Sequence, residues 1–230
     1  MPSRAPSLPD PLPVDPMPLA DAWLCEAWER KAQRNPNSMV LATIDAGGRP
    51  AARVVLCKEI VAVPGYLVFY TNYESHKGRE LAAHPWAAVV FHWDELHRQM
   101  RIAGPVVASP ASESDDYFAS RPWQSRLAAI TSQQSAPIAS RQALLGKLRA
   151  TAAHYGAPDP LSAADGDEMS GLQLPRPAGW GGYRLWAASV ELWIEGEYRL
   201  HERVCWTREL NISGSAYDQT RSWQHQRLQP

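Results

Sequence analysis

Apolar residues recur at a helical period between about Asp15 and Arg34, and at a period of two or in short unbroken runs over most of the rest. Leu19, Ala22, Trp23 and Ala27 form the stripe of an opening helix. Asp15-Pro16 supplies its N-cap and first helical residue, and Asn35-Pro36-Asn37 stops it at about Arg34. Ser38 to Asp45 and Arg49 to Glu59 then read as two strands joined by the turn Ala46-Gly47-Gly48. Tyr66 to Asn72, Trp86 to Trp93 and Arg98 to Ala108 are further strands, with a short helix, Ser75 to Ala83, among them. Repeated strands with tight turns predict an antiparallel barrel.

The pattern changes after residue 108. Ser112-x-x-Asp115 resembles a capping box opening a helix through about Ser120. Pro122 cannot sit inside that helix but can start another. Residues 139–154 are amphipathic and helical, and 156–179, rich in Pro, Gly and Asp, form a surface loop. This helical insertion, about 111–154, gives way to strands again from Gly181. Ser189 to Glu195 is one strand and Gly196 a turn. Arg199-Leu-His-Glu-Arg203 follows as a strand whose alternation puts Arg199, His201 and Arg203 on one face. Two cations and an imidazole make a poor core and a good seat for an anionic, planar ligand. The reading is α+β, mainly β. Residues 1–14 are a flexible or extended arm, and residues 15–230 form a single domain.

Composition narrows the function. A net charge of −1 over 230 residues gives no bulk reason for a nucleic-acid or membrane partner. Cys25, Cys57 and Cys205 are odd in number and widely spaced, which fits a reducing cytoplasm better than a disulfide framework. The segment Met1 to Pro18 is Pro-rich and lacks the apolar run of a secretory signal. Ten tryptophans are a surplus for this length and favour flat pockets or interfaces as well as core. There is no G-x-G-x-x-G fingerprint, Walker loop or G-x-S-x-G elbow.

Further strings carry possible chemistry, each with a plainer reading beside it. Arg53 and Lys58 bracket a strand and suit a phosphate, or are solvated edge charges that ideal alternation puts on opposite faces. Tyr70-Thr71 with Ser75-His76-Lys77 places hydroxyls and an ammonium at a helix start, which attracts phosphate, or is an ordinary capped helix. Tyr117 and Arg121 share a helical face, with Ser125 in the turns after Pro122. Gln99 and Gln134-Ser135 suit a ring offering both donors and acceptors. His92 and His97 flank a turn and lack the spacing of a metal site, so no metal is expected.

In this order the strings resemble the pyridoxamine 5′-phosphate oxidase family of FMN-binding, six-stranded split β-barrels. The resemblance runs from about Asp15 to Pro230. It is carried by Asn37-Ser-Met-Val-Leu-Ala-Thr, Arg53-Val-Val-Leu-Cys-Lys58, Phe69-Tyr-Thr-Asn, Lys77-Gly-Arg-Glu-Leu and Arg98-Gln-Met-Arg-Ile. Asp116-Tyr-Phe-Ala-Ser-Arg-Pro122, Gln134-Ser135, Trp180-Gly-Gly-Tyr-Arg184, Glu191-Leu-Trp193 and Arg199-Leu-His-Glu-Arg203 complete it. The resemblance implies an FMN-dependent oxidase that passes hydride from a reduced ring to flavin and then to O2. It implies FMN held by Arg53, Val54, Val55, Leu56, Lys58, Tyr70, Thr71, His76, Lys77, Gln99, Gln134, Ser135, Trp193 and Arg203. Substrate lies near Arg199 and His201, the catalytic pair, with its anionic group at Lys58, Tyr117, Arg121 and Ser125. The family is homodimeric, with both flavin sites at the subunit interface.

Two branches of the family compete for the substrate, and a flavin-binding module without turnover is a third reading. The phosphate residues match the branch that oxidises pyridoxine or pyridoxamine 5′-phosphate. Against it, the substrate-covering N-terminal pattern is absent, the position of a bulky indole is Ile130, and Glu202 and His76 replace the usual Asp and Arg. Pro13-Val-Asp-Pro-Met17, His201-Glu-Arg203 and the ending from Trp223 look like the branch that aromatises reduced phenazine carboxylic acids. The sequence reading favours that branch, on the expectation that Ile130 opens room for three fused rings.

Overall fold

The computed structural model describes residues 7–162, 171–213, 216–219 and 222–230. Helix α1 (Met17–Glu29) precedes strands β1 (Ser38–Ile44), β2 (Pro50–Leu56), β3 (Glu59–Val61) and β4 (Tyr66–Asn72). Helix α2 (His76–Ala83) leads to β5 (Trp86–Trp93) and β6 (Arg98–Ala108). Three helices follow: α3 (Ala111–Ser120), α4 (Trp123–Thr131) and α5 (Arg141–His154). The chain ends in β7 (Trp180–Trp186), β8 (Ser189–Ile194), β9 (Glu202–Thr207), β10 (Leu210–Ser213), β11 (Ala216–Gln219) and β12 (Gln224–Leu228). Part of the expected 156–179 loop, residues 163–170, lies outside the described residues.

This is the expected α+β, antiparallel split-barrel architecture, with more strands than the six foreseen. Ten strands form one sheet along the path β12-β9-β8-β6-β5-β1-β2, with β3, β4 and β7 joined through β6, and β10–β11 stand as a separate ribbon. The 49–59 strand divides because Cys57 turns away from β1. Its N–H donates to the Asn37 carbonyl, and the Asn37 amide donates back to the Cys57 carbonyl at 2.6 Å. Lys58 N–H then donates to Val68 of β4. Alternation along β5 and in the first half of β6 puts Phe91, Trp93, Met100 and Ile102 in the core, at most 1% exposed.

The chain forms two compact units. One comprises Met1–Phe69, Glu80–Ala108 and Tyr183–Pro230, the other Tyr70–Arg79 and Ser109–Gly182. In the first, Arg208 is a buried staple. Its Nε donates to the Ala187 carbonyl at 2.7 Å, and Nη1 and Nη2 donate to the carbonyls of Pro64 and Gly65 at 2.8 and 2.7 Å. The guanidinium lies 4.5 Å over the Trp223 ring, and burial brings its pKa down to about 10. In the second unit, Trp123, Leu127, Ala152 and Leu174 form a separate small core.

Several local expectations are corrected. Helix α1 ends at Glu29, short of Arg34, because Lys31 takes a left-handed conformation (φ 50°). Ala32 N–H then donates to Ala27 O and Lys31 N–H to Trp28 O, the paired bonds of a Schellman stop. The Ser112–Asp115 box does not form. Pro110 caps α3, Ser112 falls inside its first turn, and Asp115 pairs with Arg176 at 2.6 Å. The described part of the arm, residues 7–14, is tied down rather than loose. Leu8 is 5% exposed, its N–H donates to Glu202, and Pro13 O accepts the Trp206 indole N–H at 2.9 Å.

Candidate functional site

The first unit presents a polar row across four neighbouring strands. His92 of β5 pairs in register with Gln99 of β6, Gln99 with Trp193 of β8, and Trp193 with Arg203 of β9. Residues directly opposite in a ladder share a face, so these four side chains stand together on one side of the sheet. The adjacent row, Phe91, Met100, Leu192 and Val204, is wholly buried on the other side. Glu191 orients Arg203 by accepting from its Nε and Nη2 at 3.0 and 2.7 Å, and its other oxygen pairs with Arg101 at 3.0 Å. Gln99, Trp193 and Arg203 were legible as single residues. His92 and Glu191 were missed as site residues, because only the register reveals them.

The single-face strand expected for Arg199, His201 and Arg203 is overturned. Strand β9 starts at Glu202. The loop before it makes a short 3-10 turn, with Tyr198 and Arg199 both left-handed (φ 54° and 66°), so alternation does not apply there. The β8–β9 hairpin itself forms as expected, with a longer connection. His201 is brought to the row by its ring, 4.6 Å from that of Trp193. Its Nδ1 accepts the Gly196 N–H at 3.2 Å, so in the neutral ring the proton resides on Nε2.

Strand β2, last in the sheet path, carries the other first-unit candidates. Arg53 turns toward β1, where Nη1 donates to the Thr43 hydroxyl, and its Nη2 pairs with Glu80 of α2 at 2.8 Å. Val54 is 66% exposed and Leu56 is also exposed, an apolar edge, while Val55 is half-buried. Lys58 is exposed and lies beyond the strand's end, which answers the question of opposite faces: the chain turns before reaching it.

The second unit gathers the helix-start and insertion candidates. The Lys77 ammonium, on a residue only 8% exposed, donates to Thr71 Oγ1 (3.2 Å), Ser75 Oγ (3.2 Å) and Gln134 Oε1 (2.8 Å). Thr71 also donates to Gln134 at 3.0 Å, and His76 N–H, at the start of α2, donates to Ser135 Oγ at 3.3 Å. Ser135 is left-handed (φ 72°). Gln134-Ser135 and the Tyr70–Lys77 segment thus form one network.

Beside it lies a cavity of about 260 Å³ lined by Asn72, Arg121, Ser125, Ser132, Gln134 and Trp180, with Ala128 and Ala129 between. Tyr117 stacks on Tyr70 with centroids 3.9 Å apart, and Tyr70 on Trp180 at 5.6 Å. Burial holds the pKa of Arg121 below its ordinary value, and among the described residues its buried Nη1 has no hydrogen-bond partner. Trp180, Asn72 and Ser132 were not foreseen as site residues. Ile130 packs against the Trp123–Leu127 core and is not among the residues lining this cavity. Among the described residues no three potential metal ligands cluster: His92 stands in the polar row, and His97 Nδ1 pairs with Glu195 at 2.6 Å.

Comparison with known proteins bears on both units. The family described as pyridoxamine 5′-phosphate oxidase matches residues 29–155, more than half the chain, and the pyridoxine 5′-phosphate oxidase C-terminal dimerisation region matches 180–230. The pyridoxine/pyridoxamine 5′-phosphate oxidase of Paraburkholderia phytofirmans is 46% identical over 195 residues, 85% of this chain and 80% of its own. That of Burkholderia multivorans is 49% identical over 174 residues, 76% of this chain and 73% of its own. Among solved structures, PhzG from Burkholderia lata 383, in complex with tetrahydrophenazine-1-carboxylic acid, has a TM-score of 0.80 and 28% identity. That match covers 99% of this chain and 100% of that one. A pyridoxamine 5′-phosphate oxidase-related, FMN-binding protein from Nostoc punctiforme, 17% identical with a TM-score of 0.64, shares the fold.

Proposed function

Because this chain belongs to the pyridoxamine 5′-phosphate oxidase family of FMN-dependent oxidases, we propose that it oxidises pyridoxine or pyridoxamine 5′-phosphate to pyridoxal 5′-phosphate, working as a homodimer. The observation that carries the substrate is the 45–49% identity to enzymes of that name over three-quarters or more of the chain. The sequence preference for the phenazine branch gives way on this point.

The donor set suits FMN. A buried ammonium, two hydroxyls and a helix-start N–H fit a phosphate, the Gln99 and Gln134 amides fit a ring edge with mixed donors and acceptors, and the Trp193 indole fits its plane. Arg53, Val54, Val55, Leu56, Lys58, Tyr70, Thr71, His76, Lys77, Gln99, Gln134, Ser135, Trp193 and Arg203 would hold it, in a homodimer whose flavin sites lie at the subunit interface. Bound FMN supplies a two-electron acceptor that O2 regenerates with release of H2O2.

The protein's own groups bind and orient. Arg121, whose Nη1 has spare donor capacity, takes the substrate's phosphate with Ser125, Tyr117 and Lys58, because a guanidinium fork matches phosphate oxygens. His201 offers an Nε2–H to a ring oxygen, and Arg199 adds positive charge beside an anionic ring. Arg203, held by Glu191, stays fixed while substrate comes and goes.

A second reading, oxidation of a reduced phenazine carboxylic acid, draws on the likeness to PhzG over nearly all of both chains. A carboxylate would use the same cations. The deciding experiment is peroxide release by the FMN-loaded protein with pyridoxine 5′-phosphate and, separately, with a freshly reduced phenazine carboxylic acid precursor. Turnover of the phosphate is expected. Turnover of the tricycle alone overturns the proposal, and a yellow protein inert to both is a flavin-binding module.

A further inference from the structure

Among the described residues, Arg121 is held by an aromatic face rather than by a carboxylate. Its guanidinium lies 4.9 Å from the centroid of the Trp180 ring and 5.8 Å from that of Phe118. Phe118 meets Trp180 edge-on at 5.2 Å. Trp180 is itself clamped. It is 7% exposed, near-parallel to Tyr70 and Tyr117 (interplanar 11° and 8°), and its carbonyl accepts from Arg176 at 2.6 Å. The two glycines that follow make this clamp possible. A Cβ on Gly181 would sit 2.1 Å from the Tyr73 hydroxyl, and one on Gly182 2.8 Å from Tyr70 Cε1. Stacking uses the face of a guanidinium and leaves its N–H edge for an anion. A carboxylate partner would instead consume those N–H groups and cancel the charge.

We propose that Trp180 is the positioning residue that presents Arg121 to the substrate's anionic group, fixing the guanidinium by cation–π contact so that its buried Nη1 edge remains available at the cavity. This rests on the reading of the Arg121–Ser125 cavity as the anion site. It makes Trp180 a determinant of substrate affinity and not of the redox step. An indole is the strongest aromatic partner for a cation, so the smaller Phe ring should hold the guanidinium less well, and Leu not at all.

The test uses FMN-loaded wild type, Trp180→Phe, Trp180→Leu, Arg121→Met and the double variant Trp180→Leu/Arg121→Met. Steady-state kinetics with pyridoxine 5′-phosphate are paired with calorimetric binding of pyridoxal 5′-phosphate. Trp180→Leu should raise KM and the ligand Kd about tenfold, with kcat within about twofold. Trp180→Phe, which preserves packing, should recover most of that loss. In the Arg121→Met background Trp180→Leu should add little, since the group it positions is gone. A full additional loss there, or a fall in kcat with KM and Kd unmoved, overturns the inference. If Arg121→Met weakens binding and neither Trp180 variant does, the role of Trp180 fails and the anion site stands. If Arg121→Met itself changes neither KM nor Kd, the anion site fails, and this inference with it. Should Trp180→Leu not fold, Trp180→Met takes its place with the same expected rise, and a KM and Kd equal to wild type there overturn the proposal.

Discussion

A thiol and a guanidinium show how much a single residue's surroundings add to its chemistry. Cys57 closes the corner between β2 and β3 at 1% exposure, and burial pushes its thiol up to about 12. Since the thiolate is the reactive form, Cys57 stays inert at pH 8 for as long as the corner holds. Cys25 is exposed, although burial and its acidic neighbours Asp21 and Glu29 raise its pKa too. Peptide mass spectrometry after iodoacetamide at pH 8 should find Cys25 modified first, with Cys57 labelled only in denaturant. Early labelling of Cys57 would show that the corner opens in the native state. Arg53 and Arg121 teach the complementary lesson. Both were legible as cations in a strand or helix, yet one already has Glu80, while among the described residues the other meets aromatic faces and keeps a nitrogen without a hydrogen-bond partner. Partners distant in sequence decide which charge is left for a ligand.

Elements whose faces differ most were the most legible. The bounds of β4, β5 and β6 fall where the alternation and apolar runs put them, because a one-residue slip would turn the buried set outward. The end of α1 was not legible, since Lys31 in a left-handed stop leaves no compositional trace of the kind Gly would. The β8–β9 loop misled for a similar reason: period-two reasoning assumes extended backbone, and Tyr198 and Arg199 leave it. Register is information shared between strands, so the row His92–Gln99–Trp193–Arg203 emerges only once the ladders are known. Helix α2 carries a prediction at this scale. A Cβ at Gly78 would lie 2.0 Å from the Tyr73 carbonyl oxygen, backbone that cannot swing aside. Gly78→Ala should therefore push the helix start, with Lys77, away from Thr71 and Gln134. We expect a loss of about 1–3 kcal/mol in urea denaturation and weaker FMN retention on dialysis. Unchanged values for both would mean that the helix accommodates the methyl by sliding.

At the scale of the whole chain, the sequence carried the family and its fold, because those rest on many short strings in a fixed order. It did not carry the choice between substrates. That turned on the breadth of the likeness to the phosphate oxidases, which no single residue such as Ile130 announces. The proline-rich start read as a flexible or extended arm, since nothing in Leu8 or Pro13 announces that the indole N–H of Trp206 on β9 and the carboxylate of Glu202 await them. The staple made by Arg208 has a consequence for how such a chain is made. Ribosomes deliver residues in order, and the carbonyls of Pro64, Gly65 and Ala187 receive their donors from a side chain synthesised long after the first two. The 62–65 turn is thus a joint left open during manufacture until residue 208 has been made. Arg208→Met in the finished protein should restore the nascent condition, exposing that turn to limited proteolysis while the wild type resists; equal resistance would mean the joint is closed by other means.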